Sequence, residues 1–190
     1  MEDALRFATL DDAPALHRLI ESAYRGDRAR LGWTHEADLL EGQRTDVEAL
    51  SAILSDTEQR LIVAERNGVM IGCVQVTAIA GTTANIGHLS VEPKLQGTGL
   101  GRRLVAEAER VAVHHYSARL VEMTVIMQRP ELIAWYGRLG FSPTGEHRPF
   151  PVDNPRFGIP RVPDLCFVVL AKSLVPEQPL PISTNRGAAR

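Results

Sequence analysis

The chain has 190 residues, 44% of them hydrophobic and 23% charged, and a formal net charge of −2. This is enough apolar material for one domain with a substantial core. It carries no basic excess that would point to nucleic acid, no long single-sign run that would act as an interaction tail, and no stretch of about 18 apolar residues that would cross a membrane.

The elements read as follows in chain order. Met1-Glu2-Asp3-Ala4 is acidic and lacks the apolar run of a signal peptide, so a cytoplasmic protein is expected. Leu5 to Ala8 reads as a first strand, and Thr9 with Asp12 as a weak capping box before a helix carrying Leu16, Leu19, Ile20 and Ala23. Residues 26–44 are polar and mixed, and read as a loop with a broken helix. Thr45 to Glu48 forms a capping box for a second helix. Two β-branched runs, 60–65 and 69–79, flank Asn67-Gly68, a hairpin signal. Asn85 to Val91 reads as a strand, Gly101 to Tyr116 as an amphipathic helix, and Leu120 to Met127 as another strand. Pro130 opens a helix that runs to about Leu139 and ends at Gly140. Phe141 to Glu146 and Leu165 to Ala171 are the last strands. Between them lies a Pro-rich loop, 148–163, of a length that is usually functional or mobile. Residues 176–190 have no periodicity and read as a flexible tail after a domain spanning 1–175. One mixed sheet with helices on both faces packs this order economically. Cys73 and Cys166 are far apart, have no metal-ligand spacing, and read as buried free thiols in a reducing compartment.

The most informative segment is Gln96-Gly97-Thr98-Gly99-Leu100-Gly101, between the 85–91 strand and the following helix. A helix N-terminus offers unpartnered N–H groups and a positive dipole end, and glycine lets an anion come close. Two nucleotide templates fail here. Arg102 and Arg103 stand where a phosphate loop needs Lys-Ser/Thr, and G-x-G-x-G is not the dinucleotide spacing G-x-G-x-x-G.

Gln96, Gly99 and Gly101 do fit [R/Q]-x-x-G-x-[G/A], led in by Leu89-Ser90-Val91-Glu92-Pro93. Downstream, Trp135-Tyr136-Gly137-Arg138-Leu139-Gly140-Phe141 fits [FW]-Y-x-x-x-G-F. Together these motifs resemble the GNAT N-acetyltransferases, over roughly residues 60–145. The resemblance implies the acyl-CoA N-acyltransferase fold, a single mixed, mostly antiparallel sheet with helices on both faces. It implies acetyl-CoA as co-substrate and no metal. Backbone groups from Gln96, Gly97, Thr98, Gly99, Leu100 and Gly101, with Arg102, would hold the pyrophosphate. Leu89, Ser90 and Val91 would run along the pantetheine arm, with the Val91 N–H facing the thioester oxygen. Tyr136 would protonate the leaving thiolate.

The chain departs from the family pattern at two positions. Asn85 stands where many relatives carry a glutamate base. His88, Glu122 or a chain of waters could serve instead, and His88 is equally readable as a packed or surface histidine. By strand alternation His88 faces away from Leu89 and Val91. Arg129 stands where relatives commonly have asparagine, and reads either as a contact to cofactor or acidic substrate or as a solvated residue. Tyr24, Trp33, His35 and Glu36 from the first helices are candidates for the acceptor pocket. So are Phe150, Asp153, Arg156 and Phe157 from the Pro-rich loop. Glu36 and Asp153 could bind an amine cation. His114-His115, without a nearby partner, reads as an exposed pair at a helix end.

The expected activity is direct acetyl transfer to a primary amine of a small molecule or an amino-acid-like substrate, in a monomer or homodimer. A non-catalytic acyl-CoA-binding module and a protein or peptide acetyltransferase are the alternatives.

Overall fold

Hydrophobic periodicity decides the layers. In the computed structural model, which describes residues 3–175, seven strands form one sheet in the order β1-β3-β4-β5-β6-β9-β7. These are β1 (Ala4–Phe7), β3 (Gln59–Arg66), β4 (Val69–Ala78), β5 (Thr83–Val91), β6 (Leu120–Ile126), β7 (Ser142–Pro149) and β9 (Cys166–Ser173). Every neighbouring pair is antiparallel except β5 with β6. The hairpin at Asn67-Gly68 has both residues at positive φ, 53° and 74°, as a two-residue turn of the twist-matching type requires.

β3 is apolar at successive positions because both of its faces are covered. Leu61 and Val63 pack with Leu16, Leu19 and Ile20 of α1 (Ala13–Tyr24) and Leu50 of α3 (Val47–Ser55). Ile62 and Ala64 face the other layer. That layer is built from Leu104, Val105, Ala108 and Val111 of α4 (Leu100–Tyr116) and Tyr136 of α5 (Pro130–Gly137). The single sheet with helices on both faces is therefore as expected.

Several local readings change. The cap of α3 is Asp46, whose carboxylate accepts from the Ala49 N–H at 2.7 Å, and not Thr45, which is buried. The 26–44 region is more ordered than a loop. It carries α2 (Gly26–Ala29) and a two-residue strand, β2 (Leu40–Glu41). The Pro-rich loop is shorter than 148–163, because β7 extends to Pro149. The remainder holds a 3₁₀ turn, Pro155–Phe157, and a short strand, β8 (Ile159–Pro160), paired antiparallel with β2. Leu40, Ile126, Phe150 and Leu165 form a small apolar cluster beneath that segment. At Gly158 (φ +103°) a Cβ would lie 2.9 Å from Arg25 Nη2 and 3.2 Å from the Glu41 carbonyl, so glycine permits the close approach.

Cys73 is buried, and burial pushes its thiol up to about 12. Cys166 is only half-buried, with its sulfur 3.7 Å from Met127 Sδ, contrary to the buried thiol expected. Residues 176–190, read as a tail, lie outside the described residues.

Candidate active site

The site begins where two strands part. β5 and β6 pair only at Thr83–Leu120, Ala84–Val121 and Asn85–Glu122, and then diverge. Glu92 donates its N–H to the directly opposite Ile71 carbonyl at 2.9 Å. Hydrogen-bonding direction alternates along an antiparallel ladder, so the next residue inward, Val91, turns its N–H away from β4 and towards the divergence.

Two cavities open there. One, of about 500 Å³, is lined by Leu89 to Val91, by Gly97, Gly99, Gly101 and Arg102, and by Trp135 and Tyr136 of α5. The other, of about 290 Å³, is lined by Asn85, His88, Arg44, Phe150 and Phe157, among others. Tyr24, Leu89, Arg129, Leu132 and Tyr136 line both, so the cavities share that wall.

The larger cleft is a backbone site. Gly97 and Gly99 sit at φ +82° and +93°, a region that L side chains rarely adopt. The Gln96 and Thr98 N–H groups are used within the turn, donating to Pro93 and Leu95 at 3.3 and 3.4 Å. The N–H groups of Gly97, Gly99, Leu100, Gly101 and Arg102 have no backbone partner among the described residues, at the positive end of α4. Such a set can receive a phosphate anion. Side chains play a smaller part. Leu100 is buried in the core, Thr98 Oγ1 donates to the Leu95 carbonyl, and Ser90 Oγ donates to the His88 carbonyl at 3.2 Å. Gln96 turns its carboxamide to the Thr34 N–H (3.4 Å) and lies so close to Gly32 that a Cβ there would push the carboxamide aside.

Expected in the acceptor pocket, Trp33 instead lines the larger cleft, its ring 6.3 Å from Trp135.

The smaller cavity is a side-chain site. Tyr24 donates its O–H to the Leu89 carbonyl at 2.8 Å. Glu36 does not stand free to bind an amine. One oxygen accepts from Arg25 at 2.5 Å and the other from Arg129 at 3.0 Å, with all three side chains buried. Burial pushes the Glu36 carboxyl up, but Arg44, Arg129 and Arg25 outweigh it and hold it below its ordinary range. Arg129 is neither solvated nor isolated, since it also donates to Thr34 Oγ1 at 2.6 Å. Glu122 is not an open base; Arg148 pairs with it at 3.1 Å. Phe150 and Phe157 line the cavity. Asp153 and His35 lie outside both cavities, and Arg156 is paired with Asp46 at 2.5 Å. His114 and His115 lie in the last turn of α4, where His115 meets Phe7 edge-on.

His88 breaks the strand rule. Cys73 pairs with Ser90 and Gln75 with Gly87, so β5 carries one residue more than β4 between these pairs. This bulge puts His88 at φ +45° and ends the alternation that set it opposite Leu89; both line the smaller cavity. Its Nδ1 lies 2.6 Å from Gln75 Oε1, which can only accept. Nδ1 therefore carries the hydrogen, and Nε2 keeps its lone pair. Burial, and then the Arg44 charge, lower the His88 pKa to about 3, so the ring is neutral at pH 7.

Tyr136 is buried at the shared wall, and burial raises its phenol well above the ordinary range, so it stays protonated. Arg25, Thr34, Arg44 and Gln75 of this site escaped the sequence reading. Thr34 and Arg44 sit in the polar 26–44 stretch with no motif. Gln75 did leave a signal, as the lone polar residue in a buried run of β4, where a polar group needs a partner.

The family model "Acetyltransferase (GNAT) family" matches residues 15–141, more than half of the chain. The chain belongs to the GNAT acetyltransferase family. Its reaction class is acetyl-CoA-dependent acyl transfer, with acetyl-CoA as co-substrate. No curated protein matches. The solved structures similar to this GNAT chain share its fold. A putative acetyltransferase, yncA, from Salmonella typhimurium, solved with acetyl-CoA, is 21% identical with a TM-score of 0.68, over 96% of this chain and 99% of that one. A ribosomal-protein-alanine N-acetyltransferase from Brucella melitensis is 20% identical at 0.67, over 90% and 99%. A spermidine N-acetyltransferase chimera from Vibrio cholerae and a human enzyme, hSSAT, is 18% identical at 0.61, over 91% and 96%. Among the described residues, no helix is long and apolar enough to cross a membrane, and no cluster of three or more His, Cys, Asp or Glu could hold a metal ion.

Proposed function

We propose that this GNAT protein acetylates the primary amine of a small molecule or amino-acid-like substrate by direct attack. The observation that carries the reading is Tyr136, at the wall common to an open backbone-lined cleft and a small side-chain-lined cavity. The cleft suits the donor. The unpartnered N–H groups of Gly97 and Gly99 to Arg102, with the Arg102 guanidinium, suit the pyrophosphate, and Leu89 to Val91 suit the pantetheine arm. Arg129 reaches the donor side only as part of the shared wall.

The amine nitrogen bonds to the thioester carbonyl carbon as the C–S bond breaks. The Val91 N–H is turned to receive the negative charge that develops on the carbonyl oxygen. His88 Nε2 takes the proton lost by the amine, directly or through water, and Tyr136 gives its proton to the sulfur. Holding amine and thioester together supplies further acceleration. Cys73, buried and with its thiol raised, is no candidate for a covalent intermediate.

The acceptor cavity supports a small acceptor over a polypeptide. At about 290 Å³ it lies at the small end of ligand sites. The 150–160 segment is strapped over it by the β2–β8 pairing, by Arg25 to the Phe157 carbonyl (3.1 Å) and by Arg156 to Asp46. The reading retains a cytoplasmic setting and a monomer or homodimer. The test is an amine panel with acetyl-CoA, following CoA release. Small amines should release CoA. Release with peptide N-termini alone would transfer the reading to a polypeptide acceptor. Tight CoA binding without release from any amine would leave a binding module.

A further inference from the structure

The charges around the acceptor cavity do not balance. Three guanidiniums, Arg25, Arg44 and Arg129, face one carboxylate, Glu36. Arg25 and Arg129 already take one Glu36 oxygen each. Arg44 is left over. Among the described residues its guanidinium makes no hydrogen bond and no ion pair, and it rests over the Tyr24 ring at 5.2 Å from the centroid. It lines the cavity together with His88 and Tyr136. The Nε–H of Arg129, in a side chain only 6% exposed, also has no partner among the described residues. Neither carboxylate on the adjoining elements bonds the Arg44 guanidinium: Glu21 keeps its charge but turns Oε1 to the backbone N–H groups of Arg44 and Thr45 at 2.6 and 2.9 Å, and Asp46 accepts from Arg156.

We infer that the acceptor carries a carboxylate beside its primary amine, as an amino acid does, and that Arg44 receives that carboxylate. The inference rests on the acetyltransferase reading and names the acceptor class within it. A guanidinium offers a planar fork of donors that matches a carboxylate two bonds at a time. Arg44 is half-buried and open to a ligand, while the buried Arg129 Nε–H, without a partner among the described residues, carries a penalty that a ligand oxygen relieves.

The same cations help the chemistry. Two positive charges beside an ammonium disfavour its protonated form and so favour the free amine that attacks. An anion paired with Arg44 also offsets the charge that, after burial, depresses His88 as a base. A polyamine would bring further positive charge against Arg44 and Arg129, and is selected against. Phe150, Phe157 and Leu40 leave apolar wall for the acceptor's side chain.

The experiment compares matched acceptors on the full-length protein. Alanine, leucine and phenylalanine are each set against their amide and their decarboxylated amine, with spermidine as a polycation. The readout is kcat/KM from CoA release. The carboxylate member should be preferred about 10- to 100-fold, the range of one charge-assisted hydrogen-bonded contact. Arg44→Gln should collapse that preference to within a few-fold by raising the amino-acid KM, and Arg44→Lys, which keeps the charge without the fork, should restore part of it. Equal use of amide and amino acid by the parent protein, or a preference that survives Arg44→Gln, would overturn the inference and leave acetyl transfer standing. No CoA release from acids, amides and amines alike would overturn acetyl transfer itself.

Discussion

The cleft proposed for the donor and the cavity proposed for the acceptor share a wall but are built on opposite plans. The donor side is made of backbone. Its N–H groups come from five residues between Gly97 and Arg102, and the turn asks for positive φ at Gly97 and Gly99. The acceptor side is made of side chains brought from α1, the α2–α3 connection, β4, β5, α5 and the segment after β7, and held by charge. A backbone site tolerates side-chain change but not a change of turn. A charge-held site depends on each partner being present. That contrast explains why the donor chemistry follows from a short motif while the acceptor chemistry needs the assembled fold.

The largest expected effect is at the shared wall. Tyr136→Phe should lower kcat by about 10²- to 10⁴-fold, the usual span for a positioned acid, with CoA affinity little altered because the change removes one hydroxyl and leaves the N–H groups of the glycine turn untouched. Steady-state kinetics beside a CoA titration separates the two, and unchanged turnover would remove the acid role. On the acceptor side, Glu36→Gln leaves Arg25 and Arg129 buried without a counter-charge. Loss of one partner from such a network costs about 3–5 kcal/mol, so a urea or guanidinium melt should show a large drop in midpoint. A shift of a few tenths of a kcal/mol would mean that water enters the triad. On the donor side, Gly99→Ala forces a side chain into φ +93° and should weaken CoA binding by about 10-fold or more, from roughly 1–3 kcal/mol of backbone strain. Leu89→Met should do much less, because Leu89 serves through its backbone.

The last test is a pH slope. The folded-state pKa of His88, about 3, lies below its ordinary value of 6.5. Between those values the unfolded chain holds a proton that the folded chain does not. Stability therefore rises with pH across that window and is fully present above it. His88→Gln should flatten the slope between pH 4 and 6.5, which is at most about 1.4 kcal/mol per pH unit in the parent. An unchanged slope would show that His88 is not held neutral in the fold.

Local patterns carried much of the fold. The Asn67-Gly68 hairpin, Pro130 at the start of α5 and the amphipathic stripe of α4 each state their structure within a few residues. The misreadings also have local causes. Thr45 offered a capping box, but Asp46 is one residue nearer the helix and takes the cap. β2 and β8 are two residues each and stabilise one another only across 118 to 120 positions of chain, at Glu41↔Ile159 and Leu40↔Pro160, so neither has a periodicity to read. His88 followed alternation on paper, and a bulge defined by pairing with β4 turned it into the cavity. Glu36 looked like a free carboxylate because Arg129, its partner 93 residues away, could be placed only by folding.

By itself, then, the amino-acid order determined the layered α/β architecture and the glycine turn at a helix N-terminus, because periodicity, positive-φ glycines and helix ends are properties of neighbouring residues; the acyl-transfer class came through the resemblance of two short motifs to a family. The tertiary structure alone decided the base candidate's tautomer, the neutralisation of Glu36 and the surplus guanidinium at Arg44. Each of these depends on which charges and dipoles meet across long stretches of chain, and for the buried His88 and Glu36 on shelter from water, where the partner sets the group's chemistry.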